Sequence, residues 1–250
     1  NKKVLRTCVE LMFSFLPFRF VMKLVRVLLS SQGFGSGARV RTSGELKAAR
    51  FFLGDDIQKP ITIFDVGANR GEYTSAILAL YPSSRVFSFE PSRETFRLLE
   101  VEFAAMSQVF KLNYGLGVKS QSQLLYKEGQ YARIASLTPL DVIDPDYTEK
   151  VIIRTLDEVV SEYSISEIDL VKIDVEGHEL DVIKGAQTTL SLRKIKFLQF
   201  ELGGASIETN TTLKDIYDVL SKYDYRLYLI SRRGIVPLDT YDYQFEQYST

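Results

Sequence analysis

The chain has 250 residues, 45% of them hydrophobic and 25% charged, which is enough for one large core without disulfide or metal staples. Its 31 basic and 32 acidic side chains leave a net charge of -1, which argues against a nucleic-acid partner, since such a partner selects a basic face or a high pI. The single cysteine, Cys8, has no internal disulfide partner and fits a reducing, cytoplasmic setting.

Residues 4–29 are rich in Val, Leu, Phe and Met, with Lys2, Lys3, Arg6, Arg19, Lys23 and Arg26 set among them and Pro17 breaking the run. A membrane span needs ~20 mostly apolar residues in a row, and these cations interrupt it. No clean apolar run leads to a small-residue cleavage site, which weakens a signal-peptide reading. Residues 1–32 therefore read as an amphipathic helical arm. It either packs on the domain or on a second subunit, or lies as a peripheral, basic segment on an anionic membrane surface. Residues 33–44, which continue the Ser30–Gly37 run, read as a linker, and 45–250 as the main domain.

Within that domain strands and helices alternate. Residues 61–66 (ITIFDV) form a buried strand, and Tyr73, Ile77, Leu80 and Tyr81 then repeat at helical spacing. A strand over 86–89 precedes a helix with Phe96, Leu99 and Phe103 on one face and Ser92 as its N-cap. Residues 109–112 form a third strand. The stretch 115–150, with Pro139 and Pro145, reads as an insertion of short strands and loops, a lid over the site. Thr155-Leu156-Asp157-Glu158 matches a capping box, opening a helix with Leu156, Val159, Val160 and Tyr163 inward. A strand at 168–175, a helix marked by Leu180, Ile183 and Leu190, and a strand at 195–202 follow. Leu213, Ile216, Tyr217 and Leu220 mark the next helix, and 225–230 the last clear strand. This alternation predicts a parallel sheet covered on both faces, with ligands beyond the carboxyl ends of its strands.

The first strand runs into Asp65-Val66-Gly67-Ala68-Asn69-Arg70-Gly71-Glu72-Tyr73-Thr74. This pattern is G-x-N-x-G and lacks one glycine of the pyrophosphate turn. Glycine lets the backbone approach a ligand closely; Asn69 is suited to an amino-acid moiety and Asp65 to a ligand ammonium. Glu90 ends the second strand, 19 residues after Gly71, where a carboxylate can accept two hydrogen bonds from a ribose diol. A turn glycine and a solvated glutamate would look the same.

DVGANRGEYT, FEPS at 89–92, TLDE at 155–158 and IDLVKIDVEGHELDVIKGA at 168–186 together resemble the FkbM-type S-adenosylmethionine-dependent methyltransferases, over about residues 60–203. The resemblance implies an α/β, class I methyltransferase (Rossmann-like) fold: a mostly parallel seven-stranded sheet, one strand antiparallel, with helices on both faces. It implies S-adenosyl-L-methionine as cofactor, with contacts from Asp65, Gly67, Asn69, Gly71 and Glu90; Ala68, Tyr73, Thr74, Pro91 and Ser92, within the same motifs, and Asp174 join the candidate set. It also implies O-methylation of a hydroxyl on a sugar, glycan or polyketide-like acceptor. Asn113, Ser136 and Leu137 are further candidates for the adenine pocket, or simply turn-forming residues.

Asp174, Glu176, His178 and Glu179 gather after the fourth long strand of the alternation, and Glu201 ends the next. A sugar hydroxyl needs a base, and His178 is the first candidate; an exposed polar residue in the first helical turn is the alternative. Alanine often stands there in the family, which argues against a universal catalytic role. Asp174 and Glu201 are rival bases. With Glu176 they could instead hold Mg²⁺ or Mn²⁺, although no spacing here is ligand-diagnostic. Lys172 interrupts an apolar strand and needs a charged partner, in a structural ion pair or as a catalytic lysine. Tyr241, Tyr243, Phe245 and Tyr248 read as an edge strand or as platforms for sugar rings. An NAD-dependent oxidoreductase and a non-catalytic nucleoside-binding module are the competing readings.

Overall fold

A computed structural model describes residues 2–32, 40, 43–129, 135–139, 147–232 and 234–246. Most of the expected linker, Pro145 of the insertion and Tyr248 lie outside the described residues, as does the side chain of Cys8. Helices α1 (Lys2–Ser14) and α2 (Phe18–Gln32) form the arm, and α3 (Glu45–Leu53) opens the domain. Pro17 stands at the break, where a residue without an N–H is tolerated, and its carbonyl accepts from Phe20 and Val21 of α2. No helix among the described residues is long and apolar enough to cross a membrane.

The domain continues with β1 (Thr62–Val66), α4 (Glu72–Leu80), β2 (Arg85–Phe89), α5 (Arg93–Glu102) and β3 (Val109–Leu112). Then come β4 (Gly115–Leu116), β5 (Gln121–Lys127), β6 (Ala135–Ser136) and β7 (Thr148–Arg154). The last part is α6 (Leu156–Glu162), β8 (Ile168–Ile173), α7 (Glu179–Lys184), α8 (Gln187–Ser191), β9 (Ile195–Phe200), α9 (Ala205–Glu208), α10 (Leu213–Ser221), β10 (Leu227–Ser231) and β11 (Gly234–Leu238).

Five strands make the central sheet, in the order β3-β2-β1-β8-β9, all parallel. Its two faces explain the unbroken apolar runs in the sequence. Phe64, Phe87, Val171 and Ile173 pack with the residues of α6, α7 and α10 on one side. Ile63, Val86 and Leu170 pack with Tyr73, Ile77, Leu99 and Phe103 on the other. The Thr155 capping box forms as read, with both reciprocal bonds present.

Three expectations need correction. The central sheet has five strands rather than seven: β10 and β11 pair only with each other, antiparallel, and a cavity of about 350 Å³ lined by Phe197, Phe200, Leu227 and Tyr228 separates β10 from β9. The 115–150 stretch contributes a second, four-stranded sheet, ordered β4-β7-β5-β6, in which β5 runs antiparallel to both neighbours. The single helix expected over Leu180–Leu190 is two, α7 and α8, broken at Gly185. A side chain there would sit 2.0 Å from the Gly117 carbonyl oxygen, so close packing of the two sheets' loops selects the helix breaker. Finally, Tyr243 and Phe245 lie in a 3-10 turn rather than an edge strand, and the central sheet ends at β9.

Candidate active site

The turn after β1 is fixed by what surrounds it. Gly67 has φ of 82°, and a Cβ there would fall 1.8 Å from the Asp174 carbonyl oxygen. Gly71, with φ of 85°, would push a Cβ to 2.2 Å from the Phe103 ring of α5. Both glycines thus serve contacts within the protein, with the β8 loop and with α5. Asn69, also in the left-handed region at φ 50°, is a residue type that tolerates it. The Gly67 and Ala68 amides bond the Phe89 carbonyl, bringing the turn against the end of β2.

Glu90 lies opposite this turn. Its Oε2 accepts from the Asn69 amide at 3.0 Å and its Oε1 from the Ser92 amide at 2.8 Å. Each oxygen keeps a second acceptor direction, so two backbone donors orient the carboxylate and leave room for a diol. Burial pushes its pKa up to about 7, against the two amides, which favour the charged form. Ser92 takes the N-cap position of α5, but its side chain does not cap the helix. Glu149 of β7 does so instead, accepting from the Arg93 amide at 3.0 Å and from the Ser92 hydroxyl at 3.3 Å.

Gly67, Asn69, Glu90, Pro91, Leu137, Asp174, Glu176 and His178 converge on one cleft of about 110 Å³, with Leu116, Leu125, Ile153 and Val175 as apolar wall. Ala68, Gly71, Tyr73, Thr74, Ser92, Asn113 and Ser136 do not line it. Several of them build it from behind. Asp65 is fully buried, with Oδ2 bound to the Thr74 hydroxyl at 2.6 Å, while Oδ1 has no partner among the described residues. The Asn113 amide donates to the carbonyls of Glu90 and Pro91, and the Ser136 hydroxyl to that of Glu176.

A second group stands beside the cleft at the ends of β8 and β9. Lys172, buried, pairs with Asp174 at 2.9 Å and lies over the Tyr73 ring. Burial works against its charge, but Asp174, Asp65 and Glu45 outweigh it and hold the ammonium above the ordinary lysine range. Glu45, from the first turn of α3, accepts from the Ser43 hydroxyl and the Gln199 amide at 2.7 and 2.8 Å. Burial first, then Asp174, raises Glu176 to about 7 and Glu201 to about 8. Glu179 faces inward and staples the loop, accepting from the amides of Val175 and Gly177; burial raises it to about 7. Among the described residues, no group of three or more His, Cys, Asp or Glu side chains is arranged to hold a metal ion, Asp174, Glu176 and Glu201 included.

His178 is held at both ring nitrogens. Nδ1 lies 2.9 Å from Asp181 Oδ2 and Nε2 lies 3.1 Å from the Thr138 hydroxyl. Its hydrogen bond holds the Asp181 carboxyl below the ordinary range. An ionised carboxylate only accepts, so Nδ1 donates to it, a tautomer that leaves Nε2 able to accept from the hydroxyl. Glu45, Gln199 and Thr138 were not legible as site residues: none belongs to a motif, and tertiary folding alone brings them here; Asp181 lies in the 168–186 motif, three positions from His178, but was passed over as its partner.

A parallel sheet with a glycine turn after its first strand, an acid ending its second and an apolar-walled cleft between them define a nucleoside-binding enzyme of the Rossmann-like class. Residues 65–227 match the Methyltransferase FkbM domain, and the chain belongs to that family as an S-adenosylmethionine-dependent methyltransferase. It is 31% identical over 180 residues to the hexuronic acid methyltransferase AglP of Haloferax volcanii, covering 72% of this chain and 69% of that protein. It is 28% identical over 206 residues to the 2-O-methyltransferase NoeI of Sinorhizobium fredii, covering 76% and 83%. A looser likeness, at 14% identity and a TM-score of 0.40 over 76% of this chain and 68% of the other, is to the Methanococcus jannaschii fibrillarin pre-rRNA processing protein. Family membership sets aside the oxidoreductase and the non-catalytic binding module.

The residues present fit the cofactor. The cleft offers apolar walls to a flat base and, at Glu90, two open acceptor directions to a diol. The surplus of carboxylates around Asp174 suits a cation.

Proposed function

We propose that this methyltransferase transfers a methyl group to a hydroxyl oxygen of a sugar acceptor, with His178 as general base. Bound S-adenosylmethionine supplies an electrophilic methyl carbon on its sulfonium. Gly67, Asn69 and Glu90 would hold its nucleoside part, with Leu116, Leu125 and Leu137 against the base.

The observation that carries the reading is the His178 pair. Asp181 sets the ring tautomer and leaves Nε2 as the proton acceptor, on the wall of the same cleft as Glu90. Thr138 now presents a hydroxyl to that nitrogen. An acceptor hydroxyl in its place would pass its proton to Nε2 as the oxygen takes the methyl group, and the imidazolium would be stabilised by Asp181. The names of AglP and NoeI, a hexuronic acid methyltransferase and a 2-O-methyltransferase, support a sugar hydroxyl over a polyketide one.

The test is transfer of labelled methyl onto a panel of glycans, lipid-linked sugars and polyketides, followed by mapping of the methylated atom. Methyl ethers on sugar hydroxyls support the reading. Label on nitrogen or carboxylate, or on polyketides alone, overturns it.

A further inference from the structure

Residues 2–32 hold twelve of the twenty-six exposed large hydrophobic side chains among the described residues; the other fourteen are spread along the chain from Phe51 to Tyr243. None of the arm's described side chains is buried, and neither helix packs extensively on any element of the domain. Phe15 is 87% exposed, Phe18 76% and Met12 65%. Such a surface needs a cover.

Its charge pattern says which. On α2, Arg19, Lys23, Arg26 and Ser30 recur at spacings of four, three and four, forming one narrow polar stripe. Phe18, Phe20, Leu24, Val27 and Leu28 occupy the remaining circumference. Residues 2–32 hold six cations against one carboxylate, Glu10, a surplus of five in a chain whose net charge is -1. A second arm would bring like charges together. At 15 residues α2 is about 22 Å long, too short to cross a hydrocarbon core of ~30 Å but suited to lying in its boundary.

We propose that residues 2–32 dock the enzyme on an anionic lipid bilayer, with the apolar faces of α1 and α2 among the acyl chains and Arg19, Lys23 and Arg26 at the level of the phosphates. The full chain is co-sedimented with phosphatidylcholine vesicles and with mixed phosphatidylcholine–phosphatidylglycerol vesicles. Binding to the mixed vesicles alone is expected, weakened ~10-fold or more by high salt and by the combined change Arg19→Glu, Lys23→Glu and Arg26→Glu. The substituted enzyme should bind S-adenosylmethionine as before, because these residues lie outside the cofactor cleft. Failure of the unmodified chain to sediment with mixed vesicles overturns the proposal. So does equal binding to neutral ones, or arm-dependent dimers in mass photometry without vesicle binding.

Discussion

The two ends of the cleft are built on opposite terms. At β1 and β2, backbone amides do the work: Asn69 and Ser92 orient Glu90, and the Gly67 turn sits so close to the β8 loop that no side chain fits. At β8 and β9, side-chain charge dominates. Glu45, Asp174, Glu176 and Glu201 share Lys172 as a neighbouring cation, and burial with mutual repulsion raises Glu45, Glu176 and Glu201. The first end is finished before any ligand arrives; the second carries an electrostatic debt that a bound cation would relieve.

Gly67→Ala should break the comparison most severely. Its Cβ would meet a backbone carbonyl at 1.8 Å in a left-handed conformation, so calorimetry should show no measurable cofactor binding, together with a lowered Tm. Retained affinity would show that the turn is less rigid than its contacts imply.

His178→Ala should lower kcat by about 10²- to 10⁴-fold, the range for a general base, with cofactor Kd nearly unchanged. Near-normal turnover at saturating acceptor would transfer the role to Glu201 or Asp174. Glu90→Gln should weaken cofactor binding by about 10- to 100-fold, since its amide nitrogen cannot accept from either the diol or the backbone donors.

Buried carboxyls at both ends set a pH dependence. Glu90, Glu176 and Glu179 at about 7 and Glu201 at about 8 all lie above the ordinary 4.5. The folded state therefore binds more protons than the unfolded one across that window, and stability falls as pH rises through it. In the cofactor-free enzyme, Tm should be several degrees lower at about pH 8.5 than at about pH 5.5. S-adenosylmethionine should recover more of the loss than S-adenosylhomocysteine, which lacks the sulfonium charge. A flat or rising Tm would show that the carboxylates are not held in this way. The smallest effect belongs to Glu149→Ala, which removes the borrowed cap of α5 and should cost about 1–2 kcal/mol in urea unfolding.

The difference between the two ends also decides how much could be read from the chain. Strand ends, turn glycines and Glu90 follow local rules, and β1, β2, β3, α6, β8 and β9 fall close to where apolar runs and caps place them. Glu45 could not be found that way: it lies 154 positions from Gln199, and only the packing of α3 against β9 makes them neighbours. The same holds for Thr138, an ordinary loop residue 40 positions from His178, whereas Asp181 stands three positions away, where helical spacing alone puts it in reach. The count of strands failed where pairing partners, rather than strand propensity, define the sheet: β10 has the right sequence but joins β11 alone.

The hydrogen bond between Thr138 and His178 carries one more consequence. An incoming alcohol would replace like with like, so docking would exchange partners at the ring without stranding a lone pair. A deoxygenated analogue offers no such trade, and either the threonine stays in the way or the nitrogen goes unanswered. Selection for oxygen nucleophiles would then begin at entry, before any bond is made.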